Sequence, residues 1–138
     1  MEPIRDASRE QIKLRFSRLY WAAGWALVAL VVWGSLRPES QVSHSWWPPD
    51  KIVHFSAYCT MAFWFAGMTD RRRYPYLAIV LLVLGGLVEI GQGAMGYGRD
   101  ADWRDFLANA MGIATALILA YAGLGTWMTK IERKLGLS

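Results

Sequence analysis

Apolar residues run through this chain in long unbroken stretches instead of alternating with polar ones. Eighteen residues, Leu19 to Leu36, carry no charge, and another eighteen, Ile52 to Thr69, carry only His54. A third run begins at Tyr74, meets its first charge at Glu89 and continues through glycines to Gly98. A fourth, Phe106 to Thr129, has twenty-four uncharged residues. At 1.5 Å rise per residue, about 18–24 residues cover a hydrocarbon core of roughly 30 Å. Each run therefore predicts a membrane-spanning helix. The fold class expected is all-α, an integral membrane four-helix bundle. Residues 1–18 form a cytoplasmic juxtamembrane leader, 19–129 the four-helix domain and 130–138 a cytoplasmic tail. Gly34-Ser35-Leu36-Arg37 makes a poor cleavage site, so the first run reads as an uncleaved span.

Composition sharpens this picture. Of 138 residues, 54% are hydrophobic and 19% charged, against roughly 45–50% and about 25% in soluble domains. The single cysteine, Cys59, excludes an intramolecular disulfide framework. The net charge of +4 is distributed unevenly. Eleven lysines and arginines fall in the leader, the Arg71–Arg73 turn and the tail, and four fall in the other loops. That bias places both termini in the cytoplasm and the remaining loops outside. The basic excess is then a topology signal and an anionic-lipid contact, and no nucleic-acid partner is expected. Tyr20, Trp21, Tyr74, Tyr76 and Trp127 are expected at the inner interface, and Trp33, Trp46, Trp47, Tyr97 and Trp103 at the outer one. Ile12, Phe16 and Leu19 share one face of the leader, which suits a helix lying on the inner surface.

Small residues must mediate helix packing in lipid. Ala108, Gly112, Ala116 and Ala120 recur every four residues, and Gly85, Gly86, Gly91 and Gly93 serve the third run. The ionisable residues outside the cytoplasmic flanks gather in three segments. In the first, Asp50, His54 and Tyr58 fall at i, i+4 and i+8, with Asp50 placed as a helix cap beside Lys51. In the second, Glu89 and Gln92 share a helical face. In the third, Arg99 precedes Asp102, Asp105, Asn109 and Gly112 at a 3-4-3 spacing. A carboxylate inside a span costs something like 2.5–3.5 kcal/mol and so faces a partner or cavity. All three segments map to the outer end of the bundle, which specifies an outward pocket. Each also has a plainer reading: a cap for Asp50, dipole stabilisation for the α-helix-initiating acids, an interhelical hydrogen bond for Glu89.

These residues carry a family resemblance. Asp50-Lys51-x-x-His54-Phe55-x-Ala57-Tyr58, then Glu89-x-x-Gln92, then Arg99-x-x-Asp102-x-x-Asp105-x-x-Ala108-Asn109-x-x-Gly112 resemble the VanZ-like family, in order, from about Asp50 to Gly112. The resemblance implies a small bacterial membrane protein whose founding relative is linked to teicoplanin resistance, and it supplies no mechanism. The function expected is an outward site that binds or modifies a cell-envelope lipid, lipid-linked glycan or glycopeptide. The alternative is a non-catalytic accessory protein whose polar cluster is interhelical glue. Glu89, Asp105 and His54 are the candidates for acid/base catalysis. Asp50, Lys51, Tyr58, Gln92, Arg99, Asp102 and Asn109 are the ligand-binding candidates, with Lys51 and Arg99 for anionic oxygens. His54, Glu89 and Asp105 suit a metal by composition, but their spacing matches no ligand pattern and no metal site is assigned. No cofactor is identified. Membrane lipids are the expected partners, and a homo-oligomer is compatible with the sequence.

The topology is directly testable. In a Cys59→Ala background, an impermeant thiol reagent on intact cells should label Ser45→Cys and spare Thr69→Cys. Labelling at Thr69 alone would invert the map and remove the outward site.

Overall fold

The computed structural model describes residues 14–37, 49–96 and 101–137. Among them lie five α-helices and no strand: α1 (Ser17–Ser35), α2 (Asp50–Ala66), α3 (Tyr74–Met95), α4 (Trp103–Tyr121) and α5 (Trp127–Lys134). Short 3₁₀ turns, Arg71–Arg73 and Leu124–Thr126, lead into α3 and α5. The all-helical class holds. The leader residue Ile12, the interface candidates Trp46, Trp47 and Tyr97, and the ligand candidate Arg99 lie outside the described residues.

The fourth run departs from expectation. It does not form one helix from Phe106 to Thr129, because α4 ends at Tyr121 and the segment Leu124–Lys134 leaves it at 81°. Gly123 adopts φ 109°, a left-handed conformation that stops the helix. Gly125 then packs where an added Cβ would collide with the Tyr74 hydroxyl. Tyr74, expected at an interface, is accordingly buried, with its hydroxyl donating to the Ala66 carbonyl at 3.3 Å.

Among the described residues, Arg71–Met95 is the one stretch that is long and apolar enough alone to cross a membrane, with mean hydropathy 2.0. The bent pair of α4 and α5 adds a second if counted as one span. With 17 residues, α2 extends about 26 Å, short of a full hydrocarbon core. Tyr20, Trp21, Trp25 and Trp33 dilute the hydropathy of α1.

The core forms where α2 packs along α4, the most extensive helix contact. The small-residue ridge of α4 lies at that seam, with Ala108, Gly112, Ala116 and Ala120 all buried. Gly112 sits so close to α2 that a Cβ there would strike the Phe55 carbonyl and approach the Cys59 nitrogen at 3.0 Å. Tyr58, Met61, Ala62 and Ala66 of α2 and Ile113 and Leu117 of α4 complete the apolar core, with Leu81 from α3. α1 lies outside, burying only Gly24, against the Phe65 ring.

One end of the bundle is basic. The buried Glu132 carboxylate of α5 accepts the backbone N–H groups of Arg15 and Phe16 at 2.9 and 3.1 Å, supplying partners to the otherwise unpaired start of α1. Trp64 Nε1 donates to the Tyr20 carbonyl at 3.0 Å, and the Arg71 guanidinium donates to the Tyr121 carbonyl. Through these contacts the α5 segment is folded onto the start of α1. At the other end, Gln92 Nε2 donates to the Ser35 carbonyl at 2.7 Å, tying the end of α1 to the end of α3.

Glycine substitutions should separate tight from loose contacts. Gly112→Ala should lower stability by about 1–3 kcal/mol through overpacking. Gly86→Ala, whose Cβ would meet nothing closer than Phe106 at 3.7 Å, should leave stability unchanged or raise it. Thermal unfolding in detergent checks both signs.

Candidate functional site

The non-basic end of the bundle holds the polar residues. Pro49 is extended (φ −51°, ψ 140°) and launches α2, so Asp50 is the first helical residue and not the cap. Its carboxylate still suits the positive end of the helix dipole. One turn on, His54 is buried, and Tyr58 is buried a turn deeper. The stripe Asp50–His54–Tyr58 thus runs from the exposed rim into the core.

His54 is the centre of the cluster. Its Nδ1 lies 3.0 Å from Asn109 Oδ1 on α4 and 3.8 Å from Glu89 Oε1 on α3. Its Nε2 lies 3.9 Å from Asp50 Oδ1. An amide oxygen only accepts, so in the neutral imidazole the Nδ1–H donates to Asn109 and Nε2 keeps its lone pair. Gly85 makes the room: a Cβ there would come within 3.2 Å of Asn109 Nδ2 and 3.4 Å of the Tyr58 ring.

Asp102 caps α4, accepting the Arg104 N–H at 2.9 Å, while its own N–H donates to Glu89 Oε2 at 3.3 Å. That bond locks the start of α4 to the middle of the polar group. Lys51 Nζ lies 3.6 Å from Asp102 and 3.7 Å from Asp105, bridging α2 to α4 at the rim. The Arg104 N–H holds the Asp102 carboxyl below its ordinary 3.8, and the Lys51 and Arg104 charges act in the same direction.

His54, Glu89, Asp105 and Asn109 are each more than nine-tenths buried. Yet Tyr58 Oη, Glu89 Oε1, Asp105 Oδ1 and Asn109 Nδ2 find no hydrogen-bond partner among the described residues. Buried polar atoms are ordinarily paired, so four such atoms in one cluster mark a place built to receive something or to hold water.

The structure thus brings Asp50, Lys51, His54, Tyr58, Glu89, Asp102, Asp105 and Asn109 into one cluster. Gln92 stands apart, on the Ser35 carbonyl. Arg99 lies outside the described residues; Lys51 is paired with Asp102 and Asp105, and the Arg104 charge also acts on Asp102. One ligand atom each from Asp50, His54 and Asp105 falls within 4.8 Å of the others, with Asp50 in the position that composition suggested for Glu89. Nothing in the sequence flagged Glu132, a lone acid among tail lysines and arginines. The protein so defined is a helical bundle with a buried acid–histidine–amide cluster at one end. No family model matches the chain, and no curated protein or solved structure does either.

The Asp102 cap carries a pH signature. With its carboxyl held below the unfolded value, the stabilisation is complete above 3.8 and is lost as pH falls through the lowered value. Asp102→Ala should therefore lower the melting temperature by the same margin at about pH 7 and about pH 5, with the margin narrowing only in stronger acid. Parallel thermal scans of both proteins read this directly.

Proposed function

We propose that this is a VanZ-like multi-pass protein of the bacterial cytoplasmic membrane that uses the cluster to bind the anionic head group of a cell-envelope lipid, a lipid-linked glycan or a glycopeptide. The observation that carries the reading is the set of buried polar atoms at one end of the bundle that have no hydrogen-bond partner among the described residues. Support for the membrane comes from the outer face of α3, where Ile79, Val80, Val83, Leu87 and Ile90 are each more than half exposed. Large contiguous apolar surface of that kind marks contact with lipid or protein. The basic end, with Arg15, Arg71 and the α5 segment, is the cytoplasmic one in this reading, which turns the cluster outward.

In this arrangement Lys51, exposed at the rim, attracts head-group oxygens, with Arg99 as the further cation expected from the sequence. Asn109 and Tyr58 offer hydrogen-bond donors deeper in, and Glu89 and Asp105 accept from sugar or peptide hydroxyls and amides. If turnover follows, His54, Glu89 and Asp105 are the proton-transfer groups, His54 Nε2 being the available base. The second reading, interhelical glue, is favoured by the 3.0 Å His54–Asn109 contact that joins α2 to α4.

Native mass spectrometry of protein extracted with its lipids separates them. Binding predicts a retained anionic or undecaprenyl-type lipid that is lost in Glu89→Gln while thermal stability is kept. A clean protein, with Glu89→Gln silent and Asn109→Leu unfolding it, would establish the glue reading instead.

A further inference from the structure

The break at Gly123 builds a groove at the end of the bundle away from the polar cluster. The left-handed Gly123 lets the following segment leave α4 at 81°, which carries Trp127 back across α2. There its ring stacks on Phe63, with centroids 6.1 Å apart and planes 9° apart, and meets Trp64 edge-on at 5.5 Å. Gly67 leaves the room, since a Cβ there would collide with Trp127 Nε1. Leu119 of α4 and Leu124 of the turn supply the facing wall, and Thr60, a turn before Trp64 on α2, extends it. The groove encloses about 400 Å³, within the roughly 300–1,000 Å³ of sites that hold small molecules.

Its polar wall groups are engaged within the protein. Thr60 Oγ1 donates to the Ser56 carbonyl at 2.8 Å, Trp64 Nε1 to the Tyr20 carbonyl at 3.0 Å and Trp127 Nε1 to the Phe63 carbonyl at 3.4 Å. A polar occupant would go unpaired there, so the groove suits hydrocarbon. It also opens onto an apolar face, where Ile118, Leu119 and Leu124 are exposed.

Charge at the basic end indicates which molecule carries that hydrocarbon. Lys130 Nζ donates to the Gly123 carbonyl at 3.3 Å, beside Leu124, and the Arg71 guanidinium donates to the Tyr121 carbonyl. Both side chains are exposed, as are Arg72, Arg73, Arg133 and Lys134. The acids described at this end are engaged by backbone N–H groups, Asp70 by that of Arg72 and Glu132 by those of Arg15 and Phe16. Cations therefore dominate the field at the groove's end.

We propose that the groove holds one acyl chain of an anionic phospholipid, with its phosphate against Lys130 and Arg71. In a bilayer the competitor for the groove is other lipid, not water, so packing against the rings and attraction to the cations supply the preference. A soluble anion would meet the cations but leave the groove empty, and a zwitterionic lipid would fill the groove with less attraction. The site is distinct from the cluster. It rests on the membrane reading above, with the basic end in the cytoplasmic leaflet.

The test uses the full chain in detergent, stripped of lipid and offered equal amounts of dioleoyl phosphatidylglycerol and dioleoyl phosphatidylcholine. Native mass spectrometry reads what stays bound. One phosphatidylglycerol per chain is expected, preferred about tenfold or more over phosphatidylcholine. Thr60→Trp fills the groove from an exposed position and should abolish retention of both lipids while the melting temperature is kept. Lys130→Met, also exposed, should lower the preference about fivefold, and it reads the head group whether or not Thr60→Trp folds. Glu89→Gln should retain the lipid in full, which separates this site from a lipid held by the cluster. Equal retention of the two lipids, or wild-type retention in Thr60→Trp, overturns the proposal. So does a dimer that Thr60→Trp dissociates, because a second copy would then be the occupant. Recovery of the chain in the soluble fraction without detergent refutes the membrane reading itself, whereas membrane-bound protein that retains no lipid refutes the groove alone.

Discussion

The close approach of α2 to α4 at Gly112 is the constraint on which the site depends. Only a residue without a Cβ lets the Phe55 carbonyl lie against the α4 backbone. With the helices held at that spacing, His54 on one and Asn109 on the other fall at hydrogen-bond distance. Any wider spacing would leave both groups buried and unpaired, at roughly 1–3 kcal/mol for each group stranded. The small-residue ridge and the polar cluster are therefore one feature: the ridge sets the distance that the cluster uses.

The third helix completes the site by a related device. Gly85 admits Asn109 and the Tyr58 ring against α3, and Glu89, one turn further along, then reaches both His54 and the N-terminus of α4. The bond from the Asp102 N–H to Glu89 is informative because it joins a cap to a buried carboxylate. The residue that ends one loop is also the residue that holds the deepest acid of the cluster. Binding at such a site would act on the start of α4, and so on the α2–α4 seam.

At the opposite end, charge does structural work of a different kind. Glu132 is almost fully buried among basic neighbours, and it serves two backbone N–H groups at the start of α1. The α5 segment thus latches the outermost and most loosely packed helix, which buries little else. Among the described residues the two ends are chemically distinct: a basic end in which Glu132 is buried, and an acidic end faced by Lys51 and Arg104.

The sequence by itself determined the helical class, the small-residue seam and the gathering of three polar segments at one end. Each of these follows from local pattern: run length, four-residue spacing and the antiparallel order that short connections impose. The VanZ-like resemblance drew on the same residues. Tertiary structure alone decided which partners those residues take. Its place after two prolines marked Asp50 as a cap, but the extended Pro49 moved the helix start by one residue and left the Asp50 carboxylate 3.9 Å from His54 Nε2. Which nitrogen of His54 meets which neighbour was likewise set by packing: Nδ1 lies on Asn109 with Glu89 at 3.8 Å, and Nε2 faces Asp50. The uncharged run to Thr129 concealed the break at Gly123, because hydropathy does not register a left-handed backbone. Nor could it register the burial of Glu132, which depends on where α1 begins in space. Periodicity reports which face a residue occupies, whereas the partner on the facing helix depends on the distance and rotation between helices, which only packing sets.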